Sequence, residues 1–329
     1  MTLTEGVSSG DRRALARAIT LVESTRPDHR QEALALLDTV LPATGTAARV
    51  GVSGPPGVGK SLFIETLGLH LVEADHAVAV LAIDPSSART GGSILGDKTR
   101  MSELARHTRA FIRPSPSRGD LGGVARRTRE AMLLCEAAGF DVVIIETVGV
   151  GQSEIAVADL ADTFVLLVAA GGGDELQGVK RGIMELADVV AVTKADGDLR
   201  TIAERTAADH QHAVRFLRHR HAGWEPRVLT TSALTGAGID DVWRSVCDHR
   251  SHLAGSGQLD EQRRTQNRAW LWAELTGQLA DALNASPAVA DELPAVEADV
   301  AAGRVSPARA AARLLDAFTQ SRSMPQSPR

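Results

Sequence analysis

Gly54-Pro55-Pro56-Gly57-Val58-Gly59-Lys60-Ser61 joins glycines, one lysine and one serine in the order that holds a polyphosphate. It follows the apolar run RVGVS and precedes the helical pattern LFIETLGLHLVEA, so it reads as a bend from strand to helix. At such a bend the glycines let backbone N–H groups converge on phosphate oxygens, and the helix N-terminus adds partial positive charge. Lys60 is expected to reach the β and γ phosphates, and the Ser61 hydroxyl to ligate Mg²⁺. The expected phosphate cradle is Gly54, Gly57, Val58, Gly59, Lys60, Ser61 and Leu62.

Thr193-Lys194-Ala195-Asp196 closes the run VVAVT, at the carboxyl end of a strand where α/β proteins bind ligands. Asp196 can accept hydrogen bonds from N1–H and the exocyclic amine of guanine. Adenine offers an acceptor at N1 and no neighbouring amine, which would leave that carboxylate unpaired. GTP and GDP are therefore the expected ligands. The stem of Lys194 is expected over the base, and Ser232, Ala233 and Leu234, after RVLTT, can offer a backbone N–H to the guanine carbonyl.

Carboxylates for the metal are expected near both. GTPases commonly carry D-x-x-G after a strand, the Asp serving Mg²⁺ and the Gly amide sensing the γ-phosphate. Here DVVIIETVGVGQSE offers Glu146 and Gly149 in those places, followed by Gln152 and Glu154, which could position water or couple the loop to a partner. The stretch AIDPSSARTGGSILGDKTR supplies Asp84 at a strand end and Asp97 in a glycine-flanked loop. The predicted metal set is Ser61, Asp84, Asp97 and Glu146, and the predicted catalytic set is Lys60, Asp97, Glu146 and Gly149.

These residues need a frame. From Arg49, short β-branched runs (RVGVS, AVAVLAID, AFIRP, DVVIIE, TFVLLVA, VVAVT, RVLTTS) alternate with helical segments. That alternation predicts an α/β fold, a doubly wound, mostly parallel sheet with helices on both faces. The pattern divides the 329 residues into an N-terminal helical arm (1–47, two helices), a P-loop domain (48–254), a C-terminal helical arm (258–320) and a disordered tail (321–329), with a hinge at Gly255-Ser256-Gly257. Trp270, Leu271, Leu275 and Leu279 form an apolar stripe on that arm, for which a second copy of the chain is the expected cover.

Composition narrows the class. A net charge of −5 argues against nucleic acid, and no apolar run approaches the roughly 18 residues that span a bilayer. Two cysteines, Cys135 and Cys247, make neither a disulfide framework nor a CxxC motif, which suits a cytoplasmic setting. Only four of the 36 basic residues are lysines (Lys60, Lys98, Lys180, Lys194), and two of the four fall inside the nucleotide motifs.

The run DPSSxxxGGSILGDKTRM, the ETVGVGQSE loop, the TKAD segment and the flanking helices resemble the MeaB/ArgK type of GTPase over nearly the whole chain. The resemblance implies a homodimeric chaperone that gates adenosylcobalamin loading, protection and repair of methylmalonyl-CoA mutase, with slow GTP hydrolysis that the mutase stimulates. It further implies that GGDELQGVKRGIME, with Gln177 and Lys180, is an additional switch.

Two other readings share the P-loop: a GTPase that inserts a metal into a metallocentre, and a kinase acting on a transport protein. The first calls for a His-rich tract. His210, His212, His219 and His221 lie in HQHAVRFLRHRH, read here as a basic helix with a solvated face. The second needs an acceptor site, which the sequence does not specify. An axial-histidine Asp-x-His-x-x-Gly segment for binding cobalamin directly is absent, so the cofactor is expected to stay with the partner.

Overall fold

The computed structural model describes residues 1–24, 26–84, 101–116, 121–147, 153–171 and 181–323. All seven β-branched runs form strands: β1 (Ala48–Ser53), β2 (Val78–Asp84), β3 (Ala110–Pro116), β4 (Val142–Thr147), β5 (Thr163–Ala169), β6 (Val189–Thr193) and β7 (Arg227–Thr230). They build one sheet in the order β3-β2-β4-β1-β5-β6-β7, parallel at every pairing. β1, β4 and β6 are buried along their whole length. That is why their sequences show unbroken apolar runs rather than alternation.

The chain leaves β1 for one edge, returns through β4 and then crosses to β5 on the other side of β1. The reversal places the loop after β1 at the topological switch point, where a parallel sheet opens a crevice for ligand.

Helices α1 (Leu3–Ser8), α2 (Arg12–Val22) and α3 (Pro27–Val40) precede the sheet. Two helices were expected here; Thr2 adds a third by capping α1 through a reciprocal box with Glu5. α4 (Lys60–Glu73) follows the phosphate motif, then come α5 (Leu121–Ala137), α6 (Ser153–Ala158), α7 (Arg181–Met184), α8 (Arg200–Val214) and α9 (Ile239–Gly255). Phe63, Ile64, Leu67 and Leu71 of α4 join Val242 and Val246 of α9 on one face of the sheet, against Val50, Val80, Ile144 and Val165. The N-terminal helices are not a separate arm, because they belong to the same compact unit as the sheet, residues Met1–Asn267. α2 and α3 pack on α5, and Arg30 of α3 pairs with Glu130 of α5 at 2.6 Å.

Three aspartates sit one residue before a strand and fasten its neighbour. Asp141, before β4, accepts Ala77 N–H (2.7 Å); Asp162, before β5, accepts Arg49 N–H (3.1 Å); Asp188, before β6, accepts Phe164 N–H (2.8 Å). Each carboxylate thus satisfies an amide at the entering edge of the sheet.

α10 (Gln258–Asn284), α11 (Pro287–Ala301) and α12 (Pro307–Ser323) complete the described chain. The second compact unit begins at Arg268, within α10, and not at the expected hinge 255–257. α12 extends to Ser323, beyond the expected start of the tail, and 324–329 lie outside the described residues. Leu271, Trp272, Leu275 and Leu279 are exposed on α10. Among the described residues no helix is long and apolar enough to cross a membrane.

Candidate functional site

The loop between β1 and α4 has the backbone that its glycines allow. Gly59 is the N-cap of α4 at φ 99°, in the left-handed region that a β-carbon penalises. At Gly54 the constraint is proximity, since a β-carbon there would stand 2.5 Å from the carbonyl oxygen of Leu167. α4 therefore starts at Lys60 with its free amides turned toward the loop.

Lys60 is buried, and its ammonium donates to the carbonyls of Gly54 (2.7 Å) and Pro55 (3.1 Å). Burial pushes its pKa down, while the charges of Glu146 and Glu154 oppose that shift. An ammonium resting on two neutral carbonyls inside the loop can exchange them for phosphate oxygens, a stronger charge-assisted contact.

The β1–β4 register pairs Val52 with Glu146, which sets Glu146 beside the entry to the loop. The Ser61 hydroxyl donates to Glu146 Oε1 at 3.2 Å, and Glu146 is almost fully buried. One step along, the hydroxyls of Ser53 and Thr147 bond at 2.8 Å. Two of the four expected metal ligands therefore meet. Asp84 is the last residue of β2, one position past the Ile83–Thr147 pair, and its side chain lies outside the described residues. Asp97, Gly149, Gln152, Gln177 and Lys180 lie outside them altogether. Glu154 is not the surface residue expected of a partner contact: it is buried in the first turn of α6, and its charge acts on Lys60.

The segment expected to read the base lies at the end of β6. Lys194 has φ 60°, an uncommon conformation for a residue with a β-carbon, and its side chain is exposed. Asp196 accepts a hydrogen bond from the Ser232 hydroxyl and borders a cavity of about 390 Å³ shared with Arg200, Thr235 and Ala237. The Ser232 amide is spent on the Ala237 carbonyl (2.9 Å), so a backbone donor to a base falls to Ala233 or Leu234. Thr66 of α4 donates to the Ala233 carbonyl at 3.0 Å and ties that loop to the phosphate helix. Leu62 and Leu234 are exposed, so any part they play is through the backbone.

Thr193 opens the expected base-reading segment but was given no side-chain role from sequence, and its hydroxyl donates to Val58 O in the phosphate loop (2.7 Å) and to Val168 O in β5 (3.2 Å). A threonine at the last position of a buried strand was the available signal.

The histidine set needs correction. α8 ends at Val214, so His219 and His221 are not on a helix with His210 and His212. His210 and His221 are buried, and burial pushes the His210 pKa down, so the four do not form a solvated face.

A family model described as "Methylmalonyl Co-A mutase-associated GTPase MeaB" matches residues 15–288. The chain is 51% identical over 273 residues to the GTPase ArgK of Escherichia coli K12, covering 82% of each chain. It is 48% identical over 326 residues to the mitochondrial methylmalonic aciduria type A homolog of Mus musculus, covering 96% of this chain and 79% of that one. A crystal structure of a LAO/AO transport system kinase superposes with a TM-score of 0.74 at 39% identity, over 97% of this chain and 96% of that one.

Proposed function

The chain belongs to the family of methylmalonyl-CoA mutase-associated GTPases, and from that premise we propose that it is a GTP-hydrolysing chaperone gating adenosylcobalamin loading, protection and repair of that mutase. The observation that carries the hydrolase half is the meeting of Ser61 and Glu146 at 3.2 Å beside Lys60, with Asp196 and its loop at the carboxyl end of β6.

The oxygen donors of Ser61 and Glu146 suit Mg²⁺, a hard cation that takes one or two protein ligands and shares the rest with phosphate and water. Held by Ser61 and Glu146, it would supply positive charge to offset the charge that develops on the phosphates. The chain's own groups do the rest. The amides of Gly57 to Ser61 orient the triphosphate, Lys60 moves from the carbonyls of Gly54 and Pro55 to the β and γ oxygens, and Asp196 selects guanine. Burial lowers the Lys60 pKa, and the charges of Glu146 and then Glu154 oppose that fall. Gly149 is assigned to γ-phosphate sensing and Asp97 to the metal, with Gln152, Gln177 and Lys180 coupling that state to the mutase.

The exposed Leu271, Trp272, Leu275 and Leu279 support a homodimer through the C-terminal helices. The deciding experiment measures GTP turnover alone and with methylmalonyl-CoA mutase. A large stimulation is expected; turnover indifferent to the mutase would sink the partnership. The name of the 39%-identical kinase structure favours a second reading, phosphorylation of a transport protein. Equal use of ATP, with phosphate appearing on a second protein, would establish that reading instead.

A further inference from the structure

At the strand ends opposite to the nucleotide motifs, three buried groups converge: Asp188 just before β6, His221 in the connection between α8 and β7, and His249 of α9. Their facing atoms form a small triangle. His221 Nδ1 lies 2.9 Å from Asp188 Oδ1, His249 Nε2 lies 3.1 Å from His221 Nδ1, and His249 Nε2 lies 3.4 Å from Asp188 Oδ1. These distances put the three atoms on a circle of radius about 1.8 Å, so an ion about 2.0–2.1 Å from each sits about 1 Å out of their plane. That is the facial arrangement that three of four tetrahedral ligands make, with the fourth position left to water.

The far sides of two of these groups, Asp188 and His249, are already held. Asp188 Oδ2 accepts the Phe164 amide at 2.8 Å, and His249 Nδ1 meets the Thr163 hydroxyl at 2.9 Å. With a metal on Nε2, the His249 ring proton sits on Nδ1 and has Thr163 as its acceptor. Remote hydrogen bonds of this kind fix the tautomer and aim of a metal-bound imidazole. Trp224 closes the site, its ring 4.8 Å from that of His249 and its N–H donating to the Asp188 carbonyl (2.9 Å).

We propose that Asp188, His221 and His249 bind one divalent transition ion, zinc by preference, as a fastener distinct from the nucleotide's magnesium. Two imidazoles and one carboxylate suit zinc and its neighbours and discriminate against magnesium. The position argues for fastening rather than catalysis. Asp188 and Thr163 lie at the amino ends of β6 and β5, the edge opposite to Thr193 and Asp196, and the ion would join two strand starts, a connection and α9.

The test titrates metal-stripped full-length protein, preloaded with Mg·GDP to occupy the nucleotide site, with Co²⁺. One equivalent per chain should give visible ligand-field bands of four- or five-coordinate cobalt, and Zn²⁺ should erase them. His249→Gln and His221→Gln should lose the bands while GDP affinity stays unchanged. Thr163→Val, which removes only the remote hydrogen bond, should weaken zinc by about 10- to 100-fold. No bands with the unaltered protein, or bands that persist in both histidine variants, would overturn the assignment. If those variants do not fold, zinc-edge X-ray absorption of the unaltered protein decides: two imidazoles and a carboxylate support the site, and an all-oxygen shell refutes it.

Discussion

The two edges of one sheet are finished in opposite ways. At the amino edge the charged groups bond to one another. Arg263 forks onto Asp162 with contacts of 2.9 and 2.7 Å, Asp162 also takes the Arg49 amide, and Arg49 Nε meets Glu136 Oε1 at 2.6 Å. At the carboxyl edge Lys60 rests on backbone carbonyls, Ser61 touches a buried glutamate, and Lys194 takes a backbone shape uncommon for a residue with a β-carbon. The first edge spends its polar groups on the fold; the second holds them ready for a ligand. Substitutions at the two should therefore separate stability from binding.

Asp162→Ala is expected to have the largest effect, about 3–5 kcal/mol of unfolding free energy, because Arg263 would stay largely buried without its carboxylate. The urea midpoint should fall while GDP affinity of the folded molecules is retained; a normal midpoint would break the comparison. Lys60→Ala should do the reverse. GDP affinity should drop by about 100-fold, or about 3 kcal/mol, with little change in the midpoint, as read by calorimetry and urea titration. Unchanged affinity would remove the loop from phosphate binding.

Asp196→Asn sharpens the contrast within the carboxyl edge. It should weaken GTP by about 10- to 100-fold through its hydrogen bonds to the base and move preference toward xanthosine triphosphate, which a competition assay would show. Retained guanine preference would leave the base reader unassigned. The smallest effect is expected at Cys247, which is exposed on α9 whereas Cys135 is buried with its thiol pKa pushed up by burial. A thiol reagent should label one cysteine per native chain without altering GDP binding, and two rapid labels would show that α5 opens.

The sheet was legible because fully buried parallel strands must be apolar on both faces, and VVIIE and VVAVT announce that directly. The phosphate loop was legible for a related reason: glycine spacing encodes backbone shape, and Gly54 and Gly59 prove to need theirs. A hydroxyl's contact with a distant backbone carbonyl carries no such spacing, and Thr193 to Val58 spans 135 residues. Periodicity also misled. HQHAVRFLRHRH has a basic, helix-like composition, but the helix ends at Val214 and the fold turns His221 inward to Asp188. Likewise Glu154 looks like any polar loop residue until its burial near Lys60 is seen.

The Thr193 hydroxyl has one more implication. By gripping Val58 from the strand that ends in the base-reading segment, it sets a fixed gauge between the two recognition loops, like the beam of a caliper. A molecule gripped at both jaws is measured for its length as well as for its ends. Guanine nucleotides stretched by an inserted spacer should then be refused even though each half is acceptable alone.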